Sequence, residues 1–219
     1  MNENIIIRLE TPADYRAVET LTREAFWNQY VPGCNEHYFV HVMREHPDFV
    51  PELAFVLELD GGIIGNVMYT KSRLVDKSGE EKTILSFGPL CIHPAHQRRG
   101  YSGLLLEHSF AKARELGYDA IVIFGSPANY VGRGFVSCQK HNICLEGDYV
   151  PMAMLCKELK PGAFDGRRWY FHESTASAPC EDEAAVAVFD AQFPPKEKGW
   201  KPSQEEFYIH CRSGMKLED

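Results

Sequence analysis

No stretch of this chain stays apolar for the roughly 20 residues that a membrane helix needs; its hydrophobic runs are strand-sized and broken by charges. Positive charge is also short: 23 Lys+Arg stand against 31 Asp+Glu over 219 residues, a formal net charge of −8. A general nucleic-acid binder needs a basic footprint to displace phosphate counterions, so that class is excluded apart from a local basic loop. Residues 1–10 carry acids ahead of any apolar run and lack the basic opening of a secretory signal, which predicts a protein retained in the cytoplasm. The seven cysteines (Cys34, Cys91, Cys138, Cys144, Cys156, Cys180, Cys211) are odd in number and show no pair at zinc-site spacing, which predicts free thiols. His37 and His41 stand four apart but without the glutamate of a zinc-hydrolase H-E-x-x-H run, so no metal is expected.

What is present is ordinary globular material: 44% hydrophobic and 25% charged residues, long enough for one large domain or a domain with an appendage. Residues 5–9 predict a strand, and Thr11-Pro12-Ala13-Asp14 a helix start with Thr11 as N-cap and Pro12 at the first helical position. Val18, Leu21, Ala25 and Phe26 continue that helix at helical spacing. The aromatic and histidine-rich stretch 27–51, with a helix over 36–45, is expected to form a wall or lid. Strands over 54–59, 62–72 and 83–92, joined by turns at Asp60-Gly61-Gly62 and Lys77-Ser78-Gly79-Glu80, predict three antiparallel neighbours. A helix ending at Gly117, a buried strand over 120–124, and further strands after Gly132 and over 149–159 follow. Beyond residue 159 the pattern predicts a strand over 169–172, a short helix or strand over 183–189 and a last strand over 207–211.

The informative run is His93-Pro94-Ala95-His96-Gln97-Arg98-Arg99-Gly100-Tyr101-Ser102-Gly103, set between a strand and a helix. Backbone N–H groups of such a loop and the first helical turn converge on an anion, and Arg98 and Arg99 add fork-shaped donors suited to phosphate oxygens. No Gly-Lys-Ser/Thr follows, so it is not a P-loop, and the glycines of G-x-G-x-x-G are absent. On composition alone, a tight turn with solvated arginines stays open beside a diphosphate site.

Gln97, Gly100 and Ser102 fall on the pattern Gln/Arg-x-x-Gly-x-Gly/Ala, preceded by Gly88-Pro89-Leu90-Cys91-Ile92, and downstream Asn129-Tyr130 stand four residues ahead of Gly134-Phe135. In these two motifs the chain resembles the GNAT superfamily of N-acetyltransferases, and Gly125-Ser126-Pro127 adds a likeness to a bacterial subgroup of predicted acetyltransferases. Ser102 departs from the small Gly or Ala of the pattern and brings a hydroxyl to the helix start.

The resemblance implies an α/β acyl-CoA N-acyltransferase fold, a mixed, mostly antiparallel sheet with splayed central strands flanked by helices. It implies an acetyl-CoA-binding domain over 1–159 and a C-terminal extension over 160–219 on or beside the substrate cleft. The co-substrate is then acetyl-CoA, held by Leu90, Cys91, Ile92, Gln97, Arg98, Arg99, Gly100, Tyr101, Ser102, Gly103, Asn129 and Tyr130. The family chemistry is direct attack by an amine, with Tyr130 protonating the departing thiolate and Cys91 not acting as nucleophile. The base falls to Glu36, His37 or His93, since Ser86 is unsuited to that role. The expected acceptor is a small-molecule or peptide amine, with no nucleic acid and no membrane as partner. A non-catalytic acyl-CoA-binding or sensing module, and a phosphate-binding or interaction domain unrelated to CoA, are the other readings. A homodimer and a single chain whose extension covers its own cleft are both open.

Overall fold

The computed structural model describes residues 4–218; the first three residues of the stretch read above for a signal, and Asp219, lie outside it. Strand β1 (Ile5–Leu9) leads through a 3-10 turn at Pro12–Asp14 into α1 (Tyr15–Phe26). Asp14 holds that entry: its Oδ2 accepts from the Thr11 N–H at 2.8 Å and the Thr11 hydroxyl at 2.7 Å. Helix α2 (Glu36–Met43) precedes a meander of β2 (Phe55–Leu59), β3 (Gly62–Asp76) and β4 (Glu81–Ile92). Asp60 and Gly61 both take positive φ, the backbone of a hairpin turn that matches strand twist. Then come α3 (Tyr101–Glu115), β5 (Ala120–Phe124), the single-turn α4 (Pro127–Tyr130), β6 (Val136–Ser137), β7 (Ile143–Cys144), β8 (Tyr149–Pro151) and β9 (Met154–Glu158). The chain finishes with β10 (Trp169–His172), α5 (Glu183–Asp190), α6 (Pro202–Arg212) and β11 (Gly214–Lys216).

The main sheet runs β1-β2-β3-β4-β5-β9-β6, with β10 pairing antiparallel to the far half of β3 and parallel to β7. All neighbours on the main path are antiparallel except β4 and β5. Helix α3 lays Leu105, Leu106, Phe110 and Ala113 on one face of the sheet, against Val67, Leu85, Ile121 and Ile123. Each leucine-sized side chain buried this way contributes about 1.5–3 kcal/mol. The Tyr69 hydroxyl, inside this layer, is satisfied by Ser109 Oγ at 2.7 Å. Val18 of α1 and Val40 and Met43 of α2 cover the other face over Val56 and Met68.

The tail is built into this body. Trp169 and Phe171 of β10 fill a core cluster with Leu74 and Ile84. Arg23 of α1, 1% exposed, donates from Nε to Asp190 Oδ1 at 2.6 Å and from Nη1 to Pro194 O at 3.0 Å, with its guanidinium 4.3 Å from the Trp27 ring centroid. Two expectations change. Residues 207–211 are not a strand but the second half of α6: Pro202 presets its first turn, Glu205 sits at the positive end of the dipole, and His210 and Arg212 sit at the negative end. The 149–159 segment is two strands, β8 and β9, because β8 turns off to pair with β11. Segment 183–189 resolves as helix, capped by Asp182, whose Oδ1 accepts from the Ala184 and Ala185 N–H groups at 3.0 Å each.

Candidate active site

β4 and β5 are in register at a single pair, Leu85↔Ile121, and the Ser86 hydroxyl ties that apex by donating to Val122 O. Above it β4 bulges out of its β3 register between Val67 and Tyr69, and the two strands part. A cleft of about 730 Å³ opens between them, the size of a small-molecule site. Leu90, Cys91 and Ile92 form one wall, and Phe124, Gly125 and Ser126 the other.

The loop from β4 to α3 closes one end. Gln97 folds back so that Nε2 donates to Ile92 O at 3.0 Å, sealing the strand terminus. Arg98 has φ 62 and Gly100 φ 87, two left-handed residues that bend the chain into the first turn of α3. No atom lies within 4 Å of a Cβ built on Gly100, so the glycine answers to backbone conformation and leaves the approach to the helix end open. Gly100, Tyr101 and Ser102 all line the cleft, so the positive end of the α3 dipole borders it. Tyr101 also belongs to the core, at 4% exposure. Arg98 lines the cleft, joined by Arg133, whose Nη2 donates to Ser102 Oγ at 3.1 Å. The Ser102 hydroxyl is therefore an anchor for a second cation. Gly103 and Arg99 do not line the cleft: a Cβ on Gly103 would meet Arg133 Nη1 at 2.6 Å, so this glycine makes room for that guanidinium, and Arg99 is an exposed loop residue.

Asn129 and Tyr130 lie along the β5 wall, brought there by α4. The Tyr130 ring packs 5.7 Å from Phe87 and 5.6 Å from Phe135, and its Cε2 is 2.5 Å from where a Gly125 Cβ would be. Gly125 is thus required for the tyrosine to lie over the strand end. Burial pushes the Tyr130 phenol well above the ordinary tyrosine range and holds it protonated. Cys91 has its thiol pushed up to about 12 by burial, with Thr22 Oγ1 at 3.7 Å, so it is an inert thiol in the wall.

None of the three base candidates lines the cleft. His93 caps the 3-10 turn at Pro94–His96, its Nδ1 accepting from the Ala95 N–H at 3.3 Å. His37 is fully buried, with Nε2 at 3.0 Å from Asp190 Oδ1 and Nδ1 at 3.4 Å from Cys34 Sγ; burial pushes it down to about 4. Glu36 is half-buried at the start of α2, its Oε2 accepting from the Asn35 N–H at 3.1 Å, and desolvation pushes it up to about 7. Among the described residues no group of three or more His, Cys, Asp and Glu is placed to hold a metal.

The other end of the cleft is built where the 27–51 wall and the C-terminal extension were expected, by individual residues to which sequence reading gave no role in the site. Phe26, Gln29 and Tyr30 at the end of α1 meet Ser203, Glu206, Phe207 and His210 of α6. The Tyr30 and Phe207 rings pack at a tilt with centroids 4.5 Å apart, and those of Phe26 and Tyr30 at 5.7 Å. Nothing local to either segment announces the pairing, because about 175 residues separate its partners.

A parallel strand pair that parts beside a basic glycine loop is the arrangement the sequence resemblance implied, and comparison identifies the class. The family model described as "Acetyltransferase (GNAT) family" matches residues 20–137, over half of the chain, and the chain belongs to that family. Among individual proteins it is similar to YhbS of Escherichia coli K12, an uncharacterized N-acetyltransferase, with 27% identity over 162 residues, 74% of this chain and 92% of the relative. The crystal structure of E. coli YhbS in complex with CoA superposes with a TM-score of 0.70 at 23% identity, covering 81% of this chain and 94% of that one. A GNAT acetyltransferase of Brucella melitensis in complex with acetyl-CoA gives 0.60 at 23% identity, covering 79% and 97%. The fold is the GNAT fold with a C-terminal extension.

Proposed function

We propose that the protein is an acetyl-CoA-dependent N-acetyltransferase that passes the acetyl group to a primary amine by direct attack. One observation carries the reading: the cleft between the parted ends of β4 and β5 finishes on a loop that is left-handed at Arg98 and Gly100 and leads into the positive end of α3. Helix dipole, Arg98 and Arg133 suit the pyrophosphate, and the strand ends, with backbone groups beyond the last β4–β5 pair, suit the pantetheine arm. The CoA and acetyl-CoA complexes of the E. coli and Brucella proteins support the same donor.

The amine nitrogen attacks the thioester carbonyl, the C–S bond breaks, and the sulfur takes a proton. Tyr130 is suited to give that proton, being held protonated beside the cleft. Holding the two reactants in line supplies much of the acceleration in such a reaction, so no covalent nucleophile is required.

A second reading, a non-catalytic acyl-CoA-binding module, is favoured by the absence of Glu36, His37 and His93 from the cleft lining. Titration with acetyl-CoA by calorimetry, followed by assay of thiol release with amines, separates the two. The enzyme binds and releases free CoA; the module binds without release; a chain that does not bind acetyl-CoA is neither.

A further inference from the structure

Helix α6 bridges the two parted halves of the cleft. At its start, Ser203 Oγ donates to Gln29 O at 2.8 Å and Gln204 Nε2 to Asn28 O at 3.1 Å, both beyond the end of α1 on the β4 side. At its other end, the Ala153 N–H donates to His210 O at 3.1 Å, and Ala153 O in turn accepts from the Gly125 N–H at 2.9 Å. His210 is therefore pinned two backbone hydrogen bonds from the Gly125 strand end that the Tyr130 ring covers. Glu206 and His210 stand four apart on this bridge, both lining the cleft, with Phe207 between them packed at a tilt against Tyr30. Among the described residues neither the Glu206 carboxylate nor the His210 imidazole has an ion-pair or side-chain hydrogen-bond partner. The cleft is thus basic at the α3 loop and acidic and aromatic at α6.

We infer that α6 builds the acceptor site, with Glu206 docking the ammonium form of the amine, His210 accepting its proton, and Phe26, Tyr30 and Phe207 holding an aromatic body. The acceptor is accordingly a primary monoamine on a flat apolar group, without a carboxylate that Glu206 would repel. This rests on the acetyltransferase reading above and supplies the base that Glu36, His37 and His93 do not. Two protons leave the nitrogen. One passes from the ammonium to the His210 imidazole and on to water; the freed lone pair then forms the N–C bond. The second leaves nitrogen as the C–S bond breaks; the thiolate takes its proton from Tyr130, and the proton shed by nitrogen returns through solvent to that tyrosinate, giving amide, free CoA, a regenerated phenol and one released proton.

The test uses the full chain with acetyl-CoA and three probes: 2-phenylethylamine, spermidine and L-glutamate. Calorimetry with acetyl-CoA comes first, since a wild-type chain that does not bind it overturns the enzyme reading itself before any amine is added. With binding in place, thiol release is expected to be fastest with 2-phenylethylamine and negligible with L-glutamate. Glu206→Gln is expected to raise KM for 2-phenylethylamine at least tenfold with kcat nearly unchanged, and His210→Gln to lower kcat by about 10²-fold or more. Acetyl-CoA Kd stays within threefold in both variants, which shows the fold and donor site intact. Preference for L-glutamate or spermidine, full kcat in His210→Gln, or binding without thiol release from any probe would each overturn the inference.

Discussion

The two ends of the cleft are made by opposite means. At the α3 loop, seven consecutive residues fix the geometry through their own backbone: a left-handed arginine, a left-handed glycine and a helix terminus. At α6, the wall exists only because side chains from residues 26–30 and 203–210 meet across the molecule. A contiguous motif tolerates change around it but not within it, whereas an assembled wall depends on whatever holds its distant parts in place. For α6 that hold includes the Arg23–Asp190 clamp, which fastens α5 and the segment leading into α6 to α1.

The sharpest break of the comparison is Asp190→Ala. It strands a buried guanidinium and removes the carboxylate facing His37, so unfolding in urea is expected to show a loss of about 3 kcal/mol. At the loop, Gly100→Val forces a β-branched residue to φ 87 and is expected to cost about 1–2 kcal/mol of stability by the same assay. In calorimetry it lowers acetyl-CoA affinity at least tenfold, because the backbone that presents the helix end can no longer form.

A gentler probe is pH. Glu36, raised from 4.5 to about 7, contributes stability that is full below pH 4.5 and lost as pH rises through 7. His37, lowered from 6.5 to about 4, works in the opposite sense: its contribution is present above pH 6.5 and lost as pH falls through 4. Between pH 4.5 and 6.5 the two slopes oppose each other. Glu36→Gln deletes the first, so urea midpoints should show the variant gaining on the wild type as pH climbs to 7 and a steeper fall on acidification. Parallel curves for the two proteins would refute this assignment. The smallest effect is expected from Arg99→Ala, with acetyl-CoA affinity changed less than threefold, against at least tenfold for Arg98→Ala, since only Arg98 lines the cleft.

How far the sequence could be read follows the same divide. The meander, the loop and α3 were legible because period-2 and helical spacing, turn glycines and the Gln97–Gly103 run are local signals. The single-pair contact of β4 with β5 was legible only through resemblance. Arg133 went unread, although Ser102, the departure from the family pattern, is the residue that holds it. The Phe207-Tyr208-Ile209-His210-Cys211 run looked like a strand because it is rich in β-prone residues; Pro202 at the helix start and contacts to Asn28 and Gln29 decide for helix. His93 and Glu36 are suited to a base by residue type, but one is spent on capping a turn and the other is not among the residues that line the cleft.

The clamp between Gln204 and Asn28 spans 176 residues, and this has a bearing on synthesis. The strands of the main sheet, the glycine loop and α3 all precede α6 in chain order, so a growing chain completes the floor and both side walls of the cleft before its bridging helix leaves the ribosome. Closing so long a loop is slow to begin with but adds little entropy cost per extra residue. For that interval the cleft of the nascent protein lacks its α6 wall, and Tyr30 waits without the Phe207 ring that will pack against it.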